Sequence, residues 1–343
     1  MRVMVGMSGG VDSSVAAALL LEDGHDVVGV TMKLWGGAQD SGCCSVGDVE
    51  DARRAAQQLG IAHHVFNFSD DFERDVVGPY VSAHARGRTP NPCVECNRHL
   101  KFDRLLVRAA DLGFDAVATG HPARVAGPTG RRRLLRGRDR AKDQSYVLYM
   151  LTPAQLDRVL LPVGELTKEE VRARAAELGL RTADKPESQD TCFITASGGR
   201  EAFLGDRIAL RPGRVLDTAG RALGTVPAVE LVTVGQRRGL GALGPGRRYA
   251  VAVDVEAGTV TVGTSEDLLA GAVVIDSATW TSGTRPAAGR AIDVQMSAHG
   301  RPGAGIWDGA STIVLVEAHR RPAAGQSVVL YDGAEVLGGG IAA

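Results

Sequence analysis

The first third of the chain alternates short apolar runs with longer segments of mixed polarity. Val3–Met7 and Val27–Met32 have the composition of buried strands, and Ser13–Glu22 between them is long enough for a helix. The alternation continues with a helix over Val49–Leu59, a strand over His64–Phe68, a helix over Arg98–Leu112 and a strand over Ala116–Thr119. Strands separated by helices predict an α/β fold with a doubly wound parallel sheet.

The pattern changes near residue 206. Just before it, Thr167 as an N-cap, Glu170 three residues later and Gly179 after the last turn predict a well-delimited helix. Beyond it, short β-prone runs such as those in 247–263 and 326–340 are separated by glycines. We therefore predict an α/β domain over 1–206, a small β domain over 207–270 and a C-terminal β-barrel over 271–343, with the β domains joined near 268–282.

Composition narrows the possible functions. A net charge of −1 over 343 residues argues against a protein that coats nucleic acid indiscriminately. A local basic stretch remains, which is either a solvated loop or an RNA contact; it contains Arg131, Arg132, Arg133, Arg136, Arg138, Arg140 and Lys142. The longest apolar runs are shorter than eighteen residues, and the chain opens on the strand-like MRVMVGM, so we expect a cytoplasmic protein without a membrane segment.

The segment SGGVDSS at 8–14 lies between the first predicted strand and helix. Its glycines allow a tight turn, and backbone amides at a helix start favour a phosphate group. Asp12 is placed to hold Mg²⁺ on such a phosphate. The loop lacks a Walker lysine, which argues against a kinase or GTPase. In its strand–loop–helix context it resembles the PP-loop of ATP pyrophosphatases, a class that includes GMP, asparagine and argininosuccinate synthetases and tRNA thiolases.

The five cysteines, an odd number in a long chain, favour chemical roles over a disulfide framework. Cys93 and Cys96 stand three residues apart, just ahead of the helix predicted from Arg98, where a helix start would lower a thiol pKa. By residue type alone they are half a zinc site, a redox pair, or part of an iron-sulfur site completed by Cys192. We expect Cys43 and Cys44 to pack or to line the loop on the ATP side.

Further segments point to one family. TPNPCVECN at 89–97, Gly120-His121 after a strand, KDQSY at 142–146, SQDTCFI at 188–194 and GQRRGL at 235–240 occur together and in order. With SGGVDSS they resemble the tRNA-specific 2-thiouridylases of the MnmA/TrmU family over nearly the whole chain. The resemblance implies an ATP-dependent sulfurtransferase that adenylates the C2 oxygen of the wobble uridine in tRNAs for Lys, Glu and Gln, and exchanges that oxygen for sulfur.

The resemblance also assigns residues. Those implied to bind ATP are Gly6, Met7, Ser8, Gly9, Gly10, Val11, Asp12, Ser13, Met32 and Gly120. Cys192 matches the persulfide carrier, loaded by a cysteine desulfurase or a relay protein, and Cys96 matches the nucleophile that releases sulfide and leaves a disulfide. Those implied to contact tRNA are Asn91, Pro92, His121, Lys142, Asp143, Gln144 and Gln326. A monomer is compatible with this kind of tRNA binding.

Departures from the family pattern leave alternatives open. Cys93 stands where many members have aspartate, so an acid-base role cannot be transferred, and an iron-sulfur cluster on Cys93, Cys96 and Cys192 competes with the persulfide mechanism. Pro122 replaces a usual tyrosine, and Gln295-Met296 stand where Arg-Tyr is common, which weakens the expected tRNA contacts. A PP-loop ligase acting on a small molecule and a noncatalytic iron-sulfur or tRNA-binding protein are the other hypotheses.

Overall fold

The computed structural model describes residues 1–35, 45–186, 191–194, 198–241 and 246–343. The described strands are β1 Arg2–Gly6, β2 Asp26–Lys33, β3 His63–Asn67, β4 Ala116–Thr119, β5 Ala123–Ala126, β6 Arg133–Arg136, β7 Val159–Leu160, β8 Gly213–Asp217, β9 Ala222–Val226, β10 Tyr249–Asp254, β11 Thr259–Gly263, β12 Leu269–Trp280, β13 Arg290–Gln295, β14 Gly303–Trp307, β15 Thr312–Arg320, β16 Ser327–Asp332 and β17 Glu335–Ala342.

Helices cover much of the first half. The described α-helices are α1 Val11–Glu22, α2 Val46–Gln58, α3 Ser69–Phe72, α4 Gly78–Ala85, α5 Pro92–Glu95, α6 Leu105–Asp111, α7 Pro153–Leu156, α8 Lys168–Glu177 and α9 Gly199–Gly205. Two π-helical segments, Glu73–Val77 and Cys96–Arg104, join α3 to α4 and α5 to α6. Short 3₁₀ turns occur at Ser145–Leu148, Pro162–Glu165, Val229–Leu231 and Glu266–Leu268. Across the described residues, none of these helices is long and apolar enough to cross a bilayer.

The predicted parallel sheet is confirmed. Its strand order is β3-β2-β1-β4-β7, and all neighbouring strands pair in parallel. Successive residues of β1 point to opposite faces, so Val3 and Val5 join the core under α1, α2 and α8, whereas Met4 joins the core on the other face with Val117 and Phe102. The helix predicted at Thr167 forms with its complete capping box. The sheet thus presents the carboxyl ends of β1, β2 and β4 at one edge.

The later β structure forms two further sheets. Strands β10-β11-β8-β9 make a four-stranded sheet, and β12-β15-β14-β13-β16-β17 close into a six-stranded antiparallel barrel through pairing of β12 with β17. Strand β12 occupies most of 268–282, where the sequence predicts a junction; its interleaved Gly, Ala and Ser residues hide the strand pattern.

The barrel is continuous with the first part of the chain. The β5–β6 hairpin pairs with β17 through Leu135 and Glu335, which adds two strands of the α/β region to the barrel sheet. Barrel residues Val329, Tyr331 and Val336 are fully buried in the same hydrophobic core as residues of the parallel sheet. The C-terminal barrel therefore completes the packing of the parallel-sheet domain.

His84 on α4 gives the fold a testable pH dependence. It is buried, its Nδ1 lies 3.4 Å from the carbonyl oxygen of Glu230, and desolvation, with Arg200 nearby, lowers its pKa from 6.5 to about 4. The unfolded chain therefore takes up a proton between pH 6.5 and 4 that the folded chain does not, so stability is lost as pH falls through this window.

We expect His84→Gln to remove about 2 kcal/mol of the wild-type loss in unfolding free energy between pH 7.5 and pH 5. Urea denaturation at both pH values measures this difference. His64→Gln, at an exposed histidine on β3, is the matched control and should lose as much unfolding free energy between the two pH values as the wild type does. An equal loss in His84→Gln and the wild type would contradict the prediction.

Candidate active site

The loop between β1 and α1 has a conformation that requires glycine at position 9. Gly9 has a φ of +72°, and a Cβ there would stand 2.2 Å from the carbonyl oxygen of Asp48. The Ser13 hydroxyl accepts from the Ser8 amide at 3.2 Å and donates to the Gly10 carbonyl at 3.1 Å. The loop is therefore a rigid turn that leads directly into a helix N-terminus, an arrangement suited to binding a phosphate.

A cavity of about 270 Å³ opens above this loop, at the carboxyl ends of β1, β2 and β4. The sequence-predicted residues that line it are Gly6, Met7, Ser8, Gly10, Val11, Asp12, Ser13, Met32, Gly120, His121, Lys142 and Gln144. Gly9 belongs to the same loop but does not line the cavity; its carbonyl oxygen accepts from Lys185 Nζ at 3.0 Å. The carboxyl edge of a parallel sheet is the usual ligand position in this fold class.

Gly120 brings the end of β4 against the start of α1. A Cβ at this position would lie 2.5 Å from the Ser13 nitrogen and 2.6 Å from the Asp12 carbonyl carbon. Both contacts are with backbone atoms, which cannot rotate away. Glycine at 120 is therefore a steric requirement of the cavity wall.

The cavity also contains cations that the sequence did not identify. Lys168 Nζ lies 2.8 Å from both carboxylate oxygens of Asp12, and its side chain is only 10% exposed. Lys185 Nζ lies 2.7 Å from Asp48 and 2.6 Å from Asp51. The other lining residues that were not predicted are Leu34, Asp48, Lys101, Thr119, Pro122 and Pro186. Lysines on this wall suit a polyanionic ligand, and Asp12 and Asp48 supply the oxygen ligands that Mg²⁺ prefers.

The charge state of Lys185 follows from its surroundings. Burial acts to lower its pKa, but hydrogen bonds with Asp48 and then Asp51 outweigh burial and leave the pKa above its usual value. The residue is therefore an ammonium group over the whole physiological range. It fixes the start of α2 against the phosphate loop.

His121 is a neutral side chain in the cavity wall. It is buried, its Nδ1 lies 2.8 Å from the Thr119 hydroxyl, and its pKa is held well below 6.5 by desolvation and then by the charge of Lys101. A neutral imidazole can donate or accept a hydrogen bond but does not contribute charge at neutral pH.

The segment expected to touch the target base is held by the barrel. Asn91 caps α5 by accepting from the Cys93 amide at 3.1 Å, and Pro92 occupies the first helical position. The Gln326 side chain donates to the Thr89 carbonyl at 2.6 Å, so one of its amide hydrogens is used within the protein. Asn91 and Gln326 thus lie in one region of the surface.

The helix that carries the thiols begins earlier than predicted. The sequence placed Cys93 and Cys96 ahead of a helix starting near Arg98, but α5 starts at Pro92 because Asn91 caps it and proline fits the first turn. Cys93 is exposed in that first turn, whereas Cys96 is buried at the start of the π-helical segment. π turns inside α-helices are frequent at functional sites.

Cys96 and Cys192 are brought into one hydrophobic cluster. Cys96 is buried in it, and Cys192 packs against it from a distant segment of the chain. Phe193, next to Cys192, anchors that segment in a group of aromatic rings with centroids 5.0–6.2 Å away, which belong to Phe72, Tyr80, Phe203 and Trp35. The two thiols predicted to react therefore lie in the same part of the molecule.

The three cysteines of the iron-sulfur alternative differ in their exposure. Cys93 is exposed, Cys96 is buried and Cys192 is half-buried. Within the ranges that the structure describes, no three Cys, His, Asp or Glu side chains are gathered closely enough to hold a metal. Cys43 and Cys44 lie outside the described residues.

Three consecutive parts of the chain each match a known domain family. Residues 1–196 match the domain family described as tRNA methyl transferase HUP domain, 201–264 the tRNA methyl transferase PRC-barrel domain, and 272–342 the aminomethyltransferase beta-barrel domain. Among solved structures, a 4-thiouridine synthetase in complex with RNA and bound ATP is 19% identical, with a TM-score of 0.38 over 56% of this chain and 44% of that one. That likeness is too distant to bear on function.

Curated relatives are much closer. The tRNA-specific 2-thiouridylase MnmA of Mycolicibacterium smegmatis is 48% identical over 98% of this chain and 98% of its own length. The protein of the same name from Mycobacterium leprae is 47% identical over 98% of both chains. With identity this high over almost every residue, the chain belongs to the family of the tRNA-specific 2-thiouridylases.

Proposed function

We propose that the protein uses ATP to exchange the C2 oxygen of the wobble uridine in tRNAs for Lys, Glu and Gln for sulfur, giving 2-thiouridine, AMP and pyrophosphate. A carbonyl oxygen is a poor leaving group. Attack of the C2 oxygen on the α-phosphorus of ATP releases pyrophosphate and turns that oxygen into part of AMP, which leaves readily when sulfur attacks C2.

One observation carries the proposal: the cavity above the loop and the hydrophobic cluster that contains Cys96 have residues in common. Leu34 lines the cavity and is also buried in the cluster with Cys96, and Met32 lines the cavity and packs against the same cluster. An activated carbon bound at the cavity would therefore lie near the thiols. A ligase acting on a small molecule needs no such thiols.

Sulfur transfer is balanced with two cysteines. A cysteine desulfurase or relay protein loads Cys192 as a persulfide, and the Cys96 thiolate attacks the inner sulfur. The S–S bond of the persulfide breaks, hydrosulfide leaves, and a Cys96–Cys192 disulfide forms. Hydrosulfide then attacks C2, and AMP departs with the former oxygen. An external dithiol must reduce the disulfide before the next turnover.

The cavity residues supply the nucleotide chemistry. Amides of the loop and Lys168 would bind the phosphates, and the nearby ammonium group of Lys185 would add positive charge. Asp12 and Asp48 would hold Mg²⁺, which would neutralise charge on the pyrophosphate leaving group. The proposed tRNA contacts are Asn91, Pro92, His121, Lys142, Gln144 and Gln326. A cytoplasmic, monomeric enzyme remains part of this proposal.

The direct test supplies the purified protein with ATP, Mg²⁺, unmodified tRNA, a desulfurase with cysteine, and a dithiol. Nucleoside mass spectrometry should detect uridine with oxygen replaced by sulfur, formed only when ATP is present. A methylated uridine, as the names of two matched domains would suggest, has a different mass. Pyrophosphate release that needs a small molecule and no tRNA would support the ligase hypothesis and overturn the proposal.

Lys168→Met tests the phosphate contact. Because the ammonium group already lies in the cavity beside Asp12, we expect its loss to raise the KM for ATP about tenfold with little change in the KM for tRNA. Initial rates of pyrophosphate release give both constants. Lys33→Met, at an exposed lysine on β2, is the control. An unchanged KM for ATP would show that Lys168 serves only to hold Asp12.

A further inference from the structure

Of the three consecutive polar residues at 142–144, the middle one is oriented differently from the other two. Lys142 and Gln144 are exposed and line the nucleotide cavity. Asp143 between them points inward, with a side chain only 6% exposed. The family resemblance implies tRNA contacts for all three, but a buried carboxylate is badly placed to meet an RNA backbone.

The Asp143 carboxylate is already used within the protein. One oxygen accepts from the amides of Gly137 at 2.9 Å and Ser145 at 3.0 Å. The other accepts from the Ser145 hydroxyl at 2.9 Å and from Arg136 at 3.1 Å. Four donors around one carboxylate fix both its position and the backbone of its neighbours.

Arg136 connects this carboxylate to the C-terminal barrel. Its guanidinium group donates to the Gln295 side chain on β13 at 2.9 Å and stacks 3.4 Å from the ring centroid of Tyr331 on β16. The Arg136 side chain is 11% exposed. A buried ion pair of this kind is sensitive to loss of either partner, because the remaining charge would be buried without compensation.

The backbone extends the connection to the cavity. The Gln144 amide donates to the carbonyl oxygen of Pro122 at 3.0 Å, and Pro122 also lines the cavity. The Tyr331 hydroxyl lies 3.3 Å from the Ser145 hydroxyl, so the barrel also contacts the segment directly. A continuous chain of contacts thus leads from barrel strands β13 and β16 to the cavity wall.

We propose that Arg136 and Asp143 are positioning residues through which the C-terminal barrel holds the Lys142–Gln144 wall in place for ATP, and that Asp143 does not contact tRNA. This inference rests on the proposed function only in taking ATP as the ligand of the cavity. It assigns the barrel a role in nucleotide binding in addition to any contact with RNA.

The test measures two affinities separately, without turnover. Binding of α,β-methylene-ATP with Mg²⁺ is followed by calorimetry, and binding of unmodified tRNA without nucleotide by filter retention. In the full-length Asp143→Asn and Arg136→Met variants we expect nucleotide affinity to fall about tenfold or more. We expect tRNA affinity to fall much less, by about threefold at most, because Lys142 and Gln144 are only two of the six proposed tRNA contacts. The double variant should be little worse than either single one.

Arg133→Met is the matched control. Arg133 is on the same strand and pairs with Glu335 of the barrel, but it is exposed and this ion pair does not involve the 142–144 segment. It should leave both affinities unchanged. Reduced tRNA affinity with normal nucleotide affinity in Asp143→Asn would overturn the inference, as would an equal loss of both.

A milder variant keeps the test informative if the buried substitutions unfold the protein. Tyr331→Phe retains the ring under Arg136 and removes only the hydroxyl near Ser145. It should weaken analogue binding about two- to threefold and leave tRNA binding unchanged. Wild-type protein that binds the analogue but does not thiolate tRNA would refute the proposed function while leaving this inference intact.

Discussion

Replacing Cys192 by serine is expected to reduce transfer of sulfur to tRNA by about a thousandfold or more, while ATP- and tRNA-dependent pyrophosphate release continues. A hydroxyl cannot carry the persulfide, but it is close in size to a thiol, so packing against the Cys96 cluster should survive. The nucleotide loop lies on a separate element and keeps its geometry. Nucleoside mass spectrometry and pyrophosphate release measure the two steps.

Cys93→Ser is the natural control, because Cys93 is exposed whereas Cys96 is buried. The persulfide mechanism predicts that this variant thiolates tRNA at close to the wild-type rate in air and under anaerobic conditions. Loss of activity in Cys93→Ser, together with iron and sulfide in anaerobically purified protein, would favour the cluster mechanism. Thiolation by Cys192→Ser itself would refute the persulfide role.

Gly120→Ala is expected to weaken nucleotide binding by about a hundredfold or more. The new methyl group would lie 2.5 Å from the Ser13 nitrogen, so α1 and β4 must move apart and the phosphate loop moves with α1. Calorimetry with α,β-methylene-ATP measures the effect. Near-UV circular dichroism shows whether the rest of the protein stays folded.

Gly271→Ala provides the comparison, since a Cβ there meets nothing within 4 Å. It should bind the analogue as the wild type does. Gly9→Ala should reproduce the Gly120→Ala defect, because its Cβ would collide with the Asp48 carbonyl on the other side of the loop. Unchanged analogue affinity in Gly120→Ala would mean that the loop tolerates displacement.

Local patterns were sufficient for the elements that place the nucleotide loop. β4 is found at Ala116–Thr119 as predicted, and α8 forms with the Thr167 cap because both signals lie within a few residues. The predicted start of the helix that carries Cys93 and Cys96 was wrong by six residues, although Asn91 and Pro92 are typical of an N-cap and a first helical position. These two residues were sufficient to predict the correct start.

The cavity lysines could not be found in this way. Lys168 and Asp12 are 156 residues apart in sequence, and Lys185 and Asp48 are 137 apart. No periodic pattern relates such positions; only the folded sheet brings them together. The same applies to Asp143, whose family match suggested an exposed contact and whose burial depends on Arg136 and on barrel residues from the far end of the chain.

The shared core of the parallel sheet and the barrel has a consequence for synthesis of the protein. Val329, Tyr331 and Val336 leave the ribosome long after the strands of the parallel sheet, yet they are buried in a core with side chains from the first half of the chain. The nascent parallel-sheet region therefore keeps apolar surface uncovered until β16 and β17 have been synthesised. Stop codons placed just before β16 should therefore yield aggregated or degraded chains instead of a smaller active enzyme.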